Sequence, residues 1–142
     1  MSGYVFNTRT ELDTAVESWI VNQTIATTTY GHINTWDVSA ITDFSDLFNT
    51  SNFYYQVDAT PFNSDISNWD VSAGTNFSRM FQGASSSPSV FNQDISSWDV
   101  SSGTDFSWMF SFATAFNQDI SSWDVSSGTD FSYMFYGTTS AS

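Results

Sequence analysis

The chain has 142 residues, no cysteine and only two cations, Arg9 and Arg79, against 15 acidic residues, for a net charge of −13. That balance disfavours phosphate backbones and anionic membranes as partners, and the missing thiols exclude a disulfide framework and thiolate metal sites. Aromatic residues make up 18% of the chain and charged ones 12%, the balance of stacked aromatic layers, not of a disordered acidic tail.

Met1-Ser2-Gly3-Tyr4 carries no basic-then-apolar leader, so a leader is already missing or the protein stays inside; no apolar run approaches the length of a membrane span. Thr10-Glu11-Leu12-Asp13 reads as a capping box. Leu12, Ala15, Val16, Trp19 and Ile20 then recur at helical spacing, which predicts an amphipathic helix over residues 10–21 lying across the N-terminal end of the remaining chain. Residues 1–29 are expected to form this cap and its lead-in, with the Thr-rich stretch Val21–Tyr30 irregular, and residues 30–142 the rest of a single domain.

From residue 30 onward the chain is an internal repeat. Phe91–Phe106 and Phe116–Phe131 are identical, and the Trp-Asp-Val core recurs at Trp36, Trp69, Trp98 and Trp123, spaced 33, 29 and 25 residues. The added length always falls between the Leu-Phe or Met-Phe pair and the next Phe-Asn, as stacked repeats allow, because extra residues loop out without disturbing the stack. The pattern Ile-x-x-Trp-x-Val predicts a short strand in each repeat. Stacked coil on coil, these strands would build one parallel sheet at roughly 4.8 Å per coil, a leucine-rich-repeat-like solenoid of four coils. On the opposite side, Phe106, Met109 and Phe110 and their counterparts predict a short helix per coil. Asn63, Asn92 and Asn117, each after a Phe, are expected to form an amide ladder at the corner before the strand.

Phe-Asn-Gln-Asp-Ile-Ser-Ser-Trp-Asp-Val-Ser-Ser followed by Thr-Asp-x-Ser-x-Met-Phe resembles the BspA-like surface-protein repeats, also called the Mycoplasma lipoprotein repeat or domain of unknown function 285. The resemblance covers about residues 30 to 137. It implies a leucine-rich-repeat-like fold on secreted or surface proteins, with binding or adhesion roles and no catalytic residues. The usual apolar residue before Thr-Asp is kept as Ile41 but replaced by Gly74, Gly103 and Gly128, and the residue after Thr-Asp is Phe44, Phe77, Phe106 and Phe131. The larger rings would fill the volume that the glycines release.

Four features could carry chemistry. Asp37, Asp70, Asp99 and Asp124 lie between Trp and Val, so they would form an outward column of carboxylates. A cation such as calcium would neutralise their repulsion, or each Asp bonds to neighbouring backbone and hydroxyl groups. A second column, Asp65, Asp94 and Asp119, with His32 in its first place, suits corner capping; a lone histidine without a second His, a Cys or a Gly-x-Ser-x-Gly turn argues against an enzyme. The variable position in Ser-x-Met-Phe holds Asp46, Arg79, Trp108 and Tyr133, and Trp108, Phe112, Tyr133 and Tyr136 form a candidate aromatic binding face for glycan or protein. Asn22, Asn49 and Asn76 head candidate glycosylation sequons, which favour an extracellular or cell-surface location.

The last repeat would leave Trp123, Val125, Phe131 and Phe135 open on one side. Either the chain is a fragment cut at a repeat boundary, or another copy covers that end with Phe6 and Asn7 imitating a Phe-Asn corner. The expected function is therefore a non-catalytic structural protein that stacks head to tail into filaments, with a monomeric adhesion module as the alternative.

Overall fold

The computed structural model describes residues 3–50 and 61–138. The middle of the long connection expected from Asn49 to Pro61 lies outside the described residues, as do residues 139–142. Helix α1 spans Arg9–Val21 and buries the five apolar residues expected of it, Leu12, Ala15, Val16, Trp19 and Ile20. Its cap is Thr8, not Thr10. Thr8 is extended, its Oγ1 accepts from the N–H of Glu11 at 3.2 Å and donates to Glu11 Oε1 at 3.3 Å, so the box closes two residues earlier than expected.

The stretch expected to be irregular is a second helix, α2, Gln23–Tyr30. Asn22 Oδ1 caps it by accepting from the N–H of Ile25 at 3.2 Å. Thr27, Thr28 and Thr29 donate their hydroxyls back to the carbonyls of Gln23, Thr24 and Ile25, at 2.7, 3.1 and 3.2 Å. A threonine whose hydroxyl is occupied in this way no longer competes with the helix for backbone groups, which offsets its weak helix propensity. Gly31, at φ +77°, ends the helix.

The expected parallel sheet is overturned, and with it the leucine-rich-repeat-like solenoid of strands backed by helices. Among the described residues there is no β-strand; besides α1 and α2 there is a single 3-10 turn at Ile33–Thr35, and the repeats share only isolated parallel bridges, Asp43 to Asn76, Asn76 to Asp105 and Asp105 to Asp130. The cause is local. The Trp N–H in each Ile-x-x-Trp bonds back to the Ile carbonyl, as from Trp98 to Ile95 at 3.1 Å, and the Gly103 N–H bonds back to Val100 at 2.9 Å. Asp94 and Asp99 fasten the same two turns by accepting from the N–H groups of Ser96 and Ser101. Asp and Ser side chains thus offer the backbone turns in place of a ladder, and the apolar spacing survives on a folded, not extended, chain.

The expected short helices are turns as well. Asp46, Arg79, Trp108 and Tyr133 all have left-handed φ near +60°, which breaks a right-handed helix inside Ser-x-Met-Phe. Alternating this conformation with ordinary ones aims every second N–H in one direction. Phe77, Arg79, Phe81 and Gly83 donate to the carbonyls of Asp105, Ser107, Met109 and Ser111 one repeat later, at 2.8–3.0 Å. The preceding junction is the same, from Phe44, Asp46, Phe48 and Thr50 to Asn76, Ser78, Met80 and Gln82. In a parallel sheet each strand would send donors and acceptors to both neighbours along its length; here the alternate N–H groups from the Phe onward all go forward, and only the Thr-Asp step just before them donates back, as from Thr104 to Thr75 at 2.8 Å.

Side chains reinforce the stacking. Phe44, Phe77, Phe106 and Phe131 form one column with ring centroids 5.6, 5.5 and 5.3 Å apart and planes within 8°. Phe48, Phe81, Phe110 and Phe135 form a second, at 5.7, 5.6 and 5.6 Å. Each later Trp indole donates to a carbonyl of the preceding repeat: Trp69 to Ile33, Trp98 to Ile66 and Trp123 to Ile95, at 2.8, 3.1 and 3.0 Å. The amide ladder is present, with Asn63 Oδ1 accepting from the N–H of Asn92 at 2.8 Å and Asn92 Oδ1 from that of Asn117 at 2.9 Å. The glycines do make room for the rings: a Cβ on Gly74 would sit 2.5 Å from Phe77 Cζ, and Gly103 and Gly128 stand in the same relation to Phe106 and Phe131. The first repeat holds Ile41 and Phe44 together, both buried.

Candidate functional site at the two edges of the stack

The carboxylate columns are occupied by the fold. Asp37, Asp70, Asp99 and Asp124 each accept from the N–H and the hydroxyl of the serine two residues on, at 3.0 Å and 2.5–2.6 Å. Asp65, Asp94 and Asp119 accept from the N–H groups of Ser67, Ser96 and Ser121 at 2.9 Å. His32 fills the same place, its Nδ1 accepting from the N–H of Asn34 at 3.1 Å. A third column, Asp43, Asn76, Asp105 and Asp130, caps Ser45, Ser78, Ser107 and Ser132 in the same way at 2.9 Å. Its signal was present in the recurring Asp-x-Ser. Among the described residues no group of three or more His, Cys, Asp or Glu is placed to hold a metal ion.

The serine hydroxyls first, and the serine N–H groups second, hold the carboxyls of Asp37, Asp94, Asp99, Asp119, Asp124 and Asp130 below the usual carboxylate value; at Asp65 the N–H leads. Repulsion within a column, from Asp124 on Asp99 and from Asp119 on Asp94, is a weaker, opposing influence. A carboxyl lowered in the folded state contributes stability above its unfolded value, and that stability is lost as the pH falls through the folded one. The thermal midpoint is therefore expected to be level near neutrality and to fall below about pH 4. Unfolding scans of the parent and of Asp99→Asn across that range check this; the variant should show the shallower acid decline, and an equal decline would mean the columns do not contribute.

The aromatic residues gather at one edge. Tyr133 stacks on Trp108 at 4.4 Å with planes 19° apart, so it covers one face of the indole. Tyr136 meets Trp108, Tyr133 and Phe112 edge-on. Trp108 and Phe112 are half-buried, while Tyr133 and Tyr136 are exposed. The sequons diverge: Asn22 is exposed and caps α2, Asn76 caps Ser78, and the amide of Asn49 is buried, donating to Asp46 Oδ1 at 2.8 Å.

The upstream edge of the stack is closed. Tyr4 to Phe6 pairs with Asp37, through Phe6 N–H to the Asp37 carbonyl at 3.0 Å and Asp37 N–H to the Tyr4 carbonyl at 2.9 Å. Phe6 is fully buried against Trp36 at 5.2 Å, whereas Asn7 is exposed. Two of the acceptors that a preceding repeat would engage, the carbonyls of Asp43 and Ser45, receive Nη1 and Nη2 of Arg9 at 3.1 and 2.6 Å. One guanidinium thus supplies two donors spaced like a missing repeat. Sequence reasoning noted Arg9 only as a rare cation; its signal was being one of two cations in an acidic chain, placed in the first turn of α1.

The downstream edge is open among the described residues. Phe131 and Phe135 are 41% and 46% exposed and Val125 37%, although the residues above them in the same columns are buried. Trp123 remains buried. The N–H groups of Phe131, Tyr133 and Phe135 have no acceptor there, whereas those of Phe106, Trp108 and Phe110 reach the carbonyls of Asp130, Ser132 and Met134 at 2.8–3.0 Å. No described helix is long and apolar enough to cross a membrane.

A family described as Mycoplasma protein of unknown function, DUF285, matches residues 20–142. No curated protein and no solved structure matches the sequence. The match takes in every repeat and the stacked edge they build, and this chain belongs to the DUF285 family.

Proposed function

We propose that the chain is a non-catalytic structural module of the extracellular space or cell surface, working by end-on association through its downstream edge. The observation that carries this reading is the contrast between equivalent positions: Phe110 is fully buried, and Phe135, one repeat on, is 46% exposed. Exposed rings clustered in this way favour a contact surface. The column carboxylates and His32 are already engaged in fastening turns. The resemblance to BspA-like surface proteins supports the extracellular setting. A head-to-tail filament requires a receptive upstream edge, and Arg9 with α1 already covers it, so the geometry favours one associating end. The exposed Tyr133 and Tyr136 support the adhesion alternative, with glycan or surface protein as the ligand.

Sedimentation equilibrium of the full chain is expected to show weak, reversible self-association through this edge. Phe135→Glu should abolish it with the circular dichroism spectrum retained, and Asp99→Asn, on the lateral face, should not. Association indifferent to Phe135→Glu would overturn the reading, and growth without limit would favour the filament.

A further inference from the structure

Resting on that end-on reading, we propose that the downstream edge recognises a further repeat of this same kind, through a fixed row of main-chain donors and acceptors. Three donors stand in that row, the N–H groups of Phe131, Tyr133 and Phe135, two residues apart. Beside them are two acceptors without donors among the described residues, the Thr129 carbonyl and Asn117 Oδ1. The chain itself shows what fits such a row. One repeat earlier, Phe106, Trp108 and Phe110 donate to Asp130, Ser132 and Met134, while Thr104 O accepts from Thr129 N–H at 2.8 Å and Asn92 Oδ1 from Asn117 N–H at 2.9 Å.

A partner must therefore offer acceptors at alternate residues and donors at two further points. Phe-Asn followed by Thr-Asp-Phe-Ser-x-Met-Phe does both, because its left-handed residue turns alternate carbonyls backward. An apolar surface alone would bury these polar groups unpaired, which is unfavourable. The front of a second copy does not qualify either, since Arg9 already engages the matching carbonyls of Asp43 and Ser45. Two downstream edges can meet only through their exposed rings, for donors would face donors. Self-association of this chain is then weaker than binding of a repeat whose upstream side is free.

The probe is a synthetic peptide with the sequence of residues 116–137, titrated into the full isotope-labelled chain and followed by amide exchange. The expected result is saturable binding with exchange at Phe131, Tyr133 and Phe135 slowed on the order of tenfold or more, and the rest of the chain unchanged. A second peptide carries ester linkages after its Asp130, Ser132 and Met134 positions, which weakens those three acceptors and keeps every side chain. It is expected to bind about tenfold or more weakly. Equal affinity of the two peptides, or binding without protection of the three amides, overturns the proposal and leaves the end-on reading standing. Absence of peptide binding while Phe135→Glu still abolishes self-association also overturns it. Loss of both the peptide binding and the Phe135 dependence overturns the end-on reading itself.

Discussion

Phe81→Ala is expected to destabilise the chain by about 3–5 kcal/mol, and Phe135→Ala by about 1 kcal/mol. The two residues occupy the same place in successive repeats and differ in what lies on them. Phe81 is fully buried, stacked between Phe48 and Phe110 at 5.7 and 5.6 Å, with Phe91 at 4.1 Å and Trp98 at 6.1 Å. Removing its ring opens a cavity with close-packed aromatic walls, which have little freedom to collapse because each is held by its own column. Phe135 touches Phe110 on one face and remains 46% exposed. For a domain whose total stability is about 5–15 kcal/mol, the first change removes a large share and the second does not. Urea midpoints of Phe48→Ala, Phe81→Ala, Phe110→Ala and Phe135→Ala measure the gradient. Equal losses along the column would mean that the rings do not stabilise one another across repeats.

Arg9→Ala is expected to cost about 2–3 kcal/mol, more than any other change of a charged side chain. The guanidinium makes two main-chain hydrogen bonds, to Asp43 and Ser45, and two ion pairs, to Asp13 at 2.7 Å and Asp43 at 3.5 Å. Both carboxylates are about half exposed, so the ion pairs contribute under about 1 kcal/mol and are screened by salt. The main-chain bonds carry most of the effect, because two acceptors aimed at the same edge lose their donors together. Arg9→Lys should recover less than half of the loss, since one ammonium does not span two carbonyls as the planar fork does. Asp13→Asn should cost about 0.5 kcal/mol. Denaturation at low and high salt separates the contributions: a penalty for Arg9→Ala that vanishes in salt would assign it to the ion pairs and not to closure of the carbonyl edge.

The limits of sequence reasoning lie in the same residues. Repetition was explicit, and with it the burial of Trp, Val, Ile and Phe at fixed places, because a residue that packs against its own copy must recur. The amide ladder of Asn63, Asn92 and Asn117 was legible for the same reason. The strands were not, because the apolar spacing of Ile-x-x-Trp-x-Val is shared by an extended chain and by two consecutive turns. The choice between them was made by Asp and Ser accepting and donating two residues apart. The threonines of α2 misled in the opposite direction, since propensity counts their cost and not the back-bonded hydroxyls.

What the sequence determined by itself was therefore the period, the core side chains, the acidic surface and the family. Only the tertiary structure decided the direction of the stack. Whether an N–H faces forward or backward depends on the left-handed backbone at Asp46, Arg79, Trp108 and Tyr133, four unlike side chains that share no signal for that conformation. That direction creates both the carbonyl edge that Arg9 closes and the N–H edge that stands open. Arg9 and Ser45 are 36 residues apart, and a contact at that separation exists only once the first repeat has been laid against α1.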